Sequence, residues 1–125
     1  MSTLPQAFLD AWEQREPRMI LTTVNTSGEP NAVWVLCVKK LDDQRILIAN
    51  DFFNKTLTNI QAGSKGSLLM IAPEREAYQI KGSLEYFTEG PIYQDMKEWL
   101  DPKFAGVGAV ILNIESIYYG AEKVV

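Results

Sequence analysis

Histidine is missing altogether from these 125 residues. Its absence removes Ser-His-Asp and Cys-His nucleophile systems, His-ligated zinc and a proximal-His haem from what the chain can assemble alone. Cysteine occurs once, as Cys37, which excludes an intramolecular disulfide and is compatible with a reducing compartment. Cations are outnumbered, with 12 Lys and Arg against 16 Asp and Glu and a net charge of −4. That balance argues against a nucleic-acid partner, which requires a dense basic face. No apolar run approaches the roughly 20 residues of a membrane span. The opening "MSTLPQAFLDAWEQREP" has no basic stretch followed by an apolar one, as a secretory leader would. The expectation is a cytoplasmic protein with no membrane partner. The carboxylates, Glu74, Glu76, Asp95 and Glu98 among them, show no spacing that sets two apart as an acid/base pair. No catalytic residue and no metal site can be named, so any chemistry is expected from a bound cofactor.

What is present is an ordinary globular composition, 46% hydrophobic and 22% charged, long enough for one domain spanning 1–125. "LPQAFLDAWEQR" places Phe8, Leu9 and Trp12 on one face of a short helix that Pro17 ends. "RMILTTVNT", "NAVWVLCVKK" and "RILIAN" then read as three strands joined by the turns "SGEP" and "LDDQ". "NKTLTNIQAG" reads as a helix capped by Asn54 and stopped by Gly63. Strands follow at "GSLLMIA", "EAYQIKGSLEYFT" and "GAVILNIESIYY", with a short helix "PIYQDMKEWL" before the last. The predicted fold is mainly β: a six-stranded antiparallel split barrel with short appended helices, α+β in class.

Two segments carry more than their length suggests. "AVWVLCV", residues 32–38, is apolar at every position, whereas a strand with one wet face should alternate. One face fills the barrel; the other must meet the chain's own N-terminal helix, a partner subunit or a flat apolar ligand. In "ILIANDFFNKTLTNI" an apolar run ends abruptly in Asn50, Asp51, Asn54, Lys55 and Thr56. A lysine in the first turn of a helix opposes the helix dipole, at a cost of about 0.3–1 kcal/mol. Two readings remain open: a solvated lysine beside a cap, or a phosphate held by Lys55, the Thr56 hydroxyl and first-turn N–H groups. Charge-assisted hydrogen bonds of roughly 1.5–3 kcal/mol would outweigh the dipole cost.

The order of these segments, with "SGEPNAVWVLCVKK", "NDFFNKTLTNIQAGSKGSLLMI", "AYQIKGSLEYFTEG" and the closing "YYGAEK", resembles the FMN-binding split barrels of the pyridoxamine 5'-phosphate oxidase superfamily. The likeness runs from about Met19 to Glu122, and its motifs are weak singly and specific in their order. It implies that Lys55 and Thr56 bind the FMN phosphate, with Asn59 one turn on in support. Asn50, Asp51, Phe52 and Phe53 would lie beside the ribityl chain and ring, and Val33, Trp34 and Val35 would offer backbone to the ring edge. It also implies a homodimer with FMN at the interface, which would cover the second face of "AVWVLCV". Pyridoxamine phosphate oxidases themselves carry an arginine beside the phosphate-binding lysine, and a C-terminal arginine and histidine near the substrate. This chain has Asn54 before Lys55, no histidine, and ends "GAEKVV". That argues against vitamin B6 oxidation.

The resulting expectation is an FMN flavoprotein that passes electrons or a hydride to a small-molecule partner or substrate. A flavin-binding or storage module without turnover and a cofactor-free dimeric interaction protein are the alternatives, and a deazaflavin or another flat phosphorylated ligand could replace FMN. Cys37 is expected in the core, Trp34 and Trp99 to pack, and Lys81 to be solvated.

Overall fold

The computed structural model describes residues 3–125. Helix α1, Gln6–Glu13, buries Phe8, Ala11 and Trp12, the spacing of one helical face. Phe8 meets the ring of Tyr78 edge-on at 5.4 Å between centroids. Eight strands follow: β1 Met19–Val24, β2 Pro30–Val35, β3 Val38–Lys40, β4 Arg45–Asn50, β5 Lys65–Ile71, β6 Ala77–Phe87, β7 Gly108–Tyr119 and β8 Glu122–Lys123. All pairings are antiparallel, in the order β2-β1-β5-β6-β7-β4-β3, with β8 on β7.

That order forces the barrel. β2 and β3 are the two edges of the main path, yet only Leu36 and Cys37 separate them in the chain. Laid flat, six strand gaps at about 4.8 Å would hold these edges roughly 29 Å apart. The three Cα steps from Val35 to Val38 span at most about 11 Å. The sheet therefore curls until its edges converge, and the Ala49 N–H donates to the Cys37 carbonyl at 2.9 Å across the corner. The mainly antiparallel split barrel with three short helices is thus as expected in class. The count differs because the segment expected as one strand, 31–40, bends at this corner into β2 and β3. A two-residue β8, folded back after Gly120 at φ +57°, adds the other.

Two apolar clusters share the sheet. The barrel interior packs Met19, Leu21, Leu68, Met70, Ile80 and Leu112 beneath α1. On the outer side Leu47, Ala49 and Ile111 pack with Met96 and Leu100 of α3, Gly90–Trp99, and its C-terminal end. A bulge between β6 and β7 at Lys81 and Gly82 sharpens the curl. A Cβ on Gly82 would stand 1.7 Å from the Asn113 carbonyl oxygen, so glycine is required there. Among the described residues no helix is long and apolar enough to cross a membrane.

Candidate functional site

Among the described residues β2 pairs only with β1, so its other edge lies open. Along it lie two neighbouring cavities. The first, about 550 Å³, is mostly apolar and takes Val33, Trp34 and Val35 from β2 and Asp51, Phe52 and Phe53 from the turn after β4. Its volume suits a small flat ligand. The second, about 630 Å³, is more polar and is lined by Asn31, Asn54, Lys55, Thr58 and Asn59, with Glu29 also on its wall. Asn31 and Val33 are neighbours on one face of β2, about 7 Å apart. Phe53 and Lys55, separated by one residue, line the apolar and the polar cavity in turn. On both segments the lining passes from the apolar cavity to the polar one within three residues, so the two lie side by side.

The 50–53 turn is held by Asn50. Its Nδ2 donates to the Tyr86 hydroxyl at 2.8 Å and its Oδ1 accepts the Phe53 N–H at 2.8 Å. Its carbonyl accepts the Val107 N–H at 2.9 Å. Asn50 is 1% exposed and lines neither cavity. Its hydrogen bonds brace the turn that forms the wall. Asp51 does line the apolar cavity, where its Oδ1 accepts the Gly106 N–H at 2.8 Å. The Cys37 thiol hydrogen-bonds the same carboxylate; burial, reinforced by that negative charge, pushes the thiol up to about 11. It stays protonated at neutral pH, a core thiol as expected. Phe52 is 87% exposed and Trp34 61%. Trp99, by contrast, is half-buried against α3's cluster, with its Nε1 donating to Asp95 at 3.2 Å.

Helix α2, Lys55–Gln61, begins beside the polar cavity. Asn54 precedes it but supplies no capping hydrogen bond, so the cap expected from sequence is absent and no side chain of Asn54 occupies the first-turn donors. Asn54 sits at φ −124° and ψ −82°, which turns its side chain away from capping geometry. The C-terminal stop is as expected: Gly63, at φ +93°, donates to the Ile60 carbonyl and Ser64 to that of Asn59, a Schellman pairing. Lys55 is exposed, and among the described residues no hydrogen bond or ion pair holds its ammonium. Thr56 is 1% exposed and lines neither cavity; its hydroxyl oxygen accepts the Asn31 Nδ2 at 2.9 Å. It orients Asn31, which does reach the polar cavity. Asn59 lines that cavity while its Nδ2 donates to the Thr23 hydroxyl at 3.0 Å.

Sequence reasoning missed Arg18, Leu36 and Phe104 in the apolar wall and Asn31 in the polar one. Arg18 and Phe104 are brought in by β1 and by the loop after α3, and no local pattern announces either. Asn31 and Leu36 had a signal, Asn31 lying two residues before Val33 and Leu36 inside the unbroken apolar run 32–38.

The family model for pyridoxamine 5'-phosphate oxidase matches residues 5–119. An uncharacterised protein of Methanocaldococcus jannaschii is 34% identical over 105 residues, covering 80% of this chain and 70% of that protein. Among solved structures, HupZ of Group A Streptococcus superposes with a TM-score of 0.84 at 22% identity, over 98% of both chains. A pyridoxamine 5'-phosphate oxidase-related, FMN-binding protein of Nostoc punctiforme superposes with a TM-score of 0.71 at 14% identity, over 94% of this chain and 83% of that one. At these identities the structural likeness establishes the fold.

Proposed function

The chain belongs to the pyridoxamine 5'-phosphate oxidase family, and from that premise we propose that it is a cytoplasmic, homodimeric flavoprotein that binds FMN across its two adjoining cavities. The observation that carries this reading is the unpartnered Lys55 ammonium in a polar cavity one strand step from an apolar one. A phosphate there would answer the lysine charge, with Asn31, oriented by Thr56, and Thr58 as further donors. The flat ring would lie between the edge of β2 and the Asp51–Phe53 turn, whose shape Asn50 maintains. Bound there, FMN would supply hydride or electron transfer to a small-molecule partner. The chain's own residues would orient the ring and exclude water from it. The FMN-binding relative from Nostoc punctiforme, similar in fold, supports the same choice of ligand.

The outer face of the sheet supports the homodimer. Trp34, Ile20 and Leu69 stand side by side in register, none of them fully buried. α1 does not cover this row, because Trp34 is left 61% exposed. A second copy would cover it and would close over Phe52 at the mouth of the ring cavity.

One observation favours a second reading, binding without turnover. Among the described residues Asp51 is the only carboxylate lining the ring cavity, and it is engaged by Gly106 and Cys37. The first experiment is an absorption spectrum of freshly purified protein with mass analysis of what denaturation releases. FMN is the expected release; riboflavin without its phosphate, or no affinity for added FMN, would overturn the reading. Oxidation of added NAD(P)H by the loaded protein would separate the redox form from the storage form.

A further inference from the structure

One cation stands at the ring cavity without an answer in the fold. Arg18 lies just before β1, is exposed, and lines the same wall as Trp34 and Phe53. Among the described residues no hydrogen bond or ion pair engages its guanidinium. The nearby arginine on α1's C-terminal side contrasts with it: Arg15 donates to the carbonyls of Trp12 and Val38 and stacks on the Trp12 ring. The negative charge on this wall, Asp51, is already met by the Gly106 N–H and the Cys37 thiol. The remaining wall is largely apolar, with Val33, Phe52 and Phe104. Of the two charged side chains on this wall, Asp51 is held by groups of the fold, and only Arg18 is left without a partner.

We propose that Arg18 tunes the redox balance of the flat cofactor held in this cavity by favouring its reduced form; this rests on the FMN reading above. An oxidised flavin ring is neutral. On taking up two electrons and one proton, the proton going to N5, it gains one net negative charge. A guanidinium beside the ring attracts that charge and leaves the oxidised ring nearly unaffected, so it raises affinity for the reduced form selectively. With an effective dielectric near 20, a unit charge about one ring's width away shifts the ratio of the two affinities by about tenfold or more.

The test uses full-length protein loaded with FMN, as wild type and as Arg18→Gln, Arg18→Lys and Arg18→Glu. Each is reduced stepwise with dithionite at pH 8 against an indicator dye, and FMN affinity in the oxidised state is titrated by fluorescence in parallel. Arg18→Gln should lose about tenfold in its preference for reduced over oxidised FMN, a midpoint lower by about 30 mV for a two-electron couple. Arg18→Glu should lose more, and Arg18→Lys should stay near wild type because it keeps the charge. A side chain that merely shaped the wall would make the lysine variant behave like the glutamine one, which would overturn the proposal. Equal midpoints in wild type and Arg18→Gln, with FMN bound by both, would also overturn it while leaving the FMN reading intact. Failure of wild type to bind FMN would remove both, and the fluorescence titration shows which has failed.

Discussion

β2 and β4 carry similar apolar runs and have different fates. Ile46 and Ile48 of β4 point into the barrel while Leu47 and Ala49 point the other way into the cluster under α3, and all four are buried. In β2, Val35 is buried and Val33 packs against the barrel core, but Trp34 on the opposite face is exposed, as is Leu36 just beyond it. An unbroken apolar strand needs two covers. β4 finds both within its own chain. β2 finds one, and its other face leaves Trp34 and Leu36 exposed. The open edge of β2 is also where both cavities lie. Burial by the chain itself covers both faces of β4 and only one face of β2.

The comparison predicts opposite outcomes for truncation on the two strands. Leu47→Ala should remove a fully buried side chain between two packed layers and cost about 2–5 kcal/mol, seen as a lower urea midpoint at unchanged slope. If that variant were as stable as wild type, α3 would not be a true cover for β4. Trp34→Glu should leave the circular dichroism spectrum of the fold unchanged, because the side chain is 61% exposed, yet weaken dimerisation by about 30-fold or more. Light scattering over a dilution series reads this directly. A wild type that is monomeric at micromolar concentration with flavin bound would sink the second-copy account of this face.

How far the sequence could see depended on whether a feature was local. β4 was legible because its unbroken apolar run matches burial on both sides, and the end of α2 was legible because Gly63 occupies a backbone conformation that other residues avoid. The bend at Leu36 and Cys37 was not, since it has no glycine, proline or polar turn residue; it is imposed by the closing of the sheet. The same limit applies to the candidate site. Lys55 was singled out from its place at a helix start, and Asp51 and the β2 residues through the family resemblance, whereas Arg18 and Phe104 join the wall only through the fold. Asn50 and Thr56 were singled out as ligand contacts, and the structure adds hydrogen-bond partners for both that their neighbours in the chain do not announce. Both polar side chains are buried and are hydrogen-bonded to partly buried partners, Tyr86 and Asn31.

A smaller effect sharpens the polar end of the site. Lys55→Ala should weaken FMN by about 10- to 150-fold, the loss of one charge-assisted contact of roughly 1.5–3 kcal/mol, and leave riboflavin affinity nearly unchanged. Fluorescence titrations with both ligands measure the difference. Equal losses for the two, or no loss for either, would show that the lysine is simply solvated and that the phosphate lies elsewhere.

The smallest expected effect separates direct contact from support. Thr56 is buried and its oxygen accepts from Asn31, so Thr56→Val would leave the Asn31 amide without its partner while adding no charge and little volume. A neutral hydrogen bond of this kind contributes about 0.5–1.5 kcal/mol, and that loss should appear in the stability of the ligand-free protein. FMN affinity should fall by less than in Lys55→Ala, because the phosphate would lose only the orientation of one donor. Combining Thr56→Val with Asn31→Ala then gives a clear distinction: if Thr56 acts through Asn31, the double variant should bind FMN no more weakly than Asn31→Ala alone. Additive losses in that cycle would mean that the Thr56 hydroxyl reaches the phosphate itself, and that the wall between it and the polar cavity opens when the ligand binds.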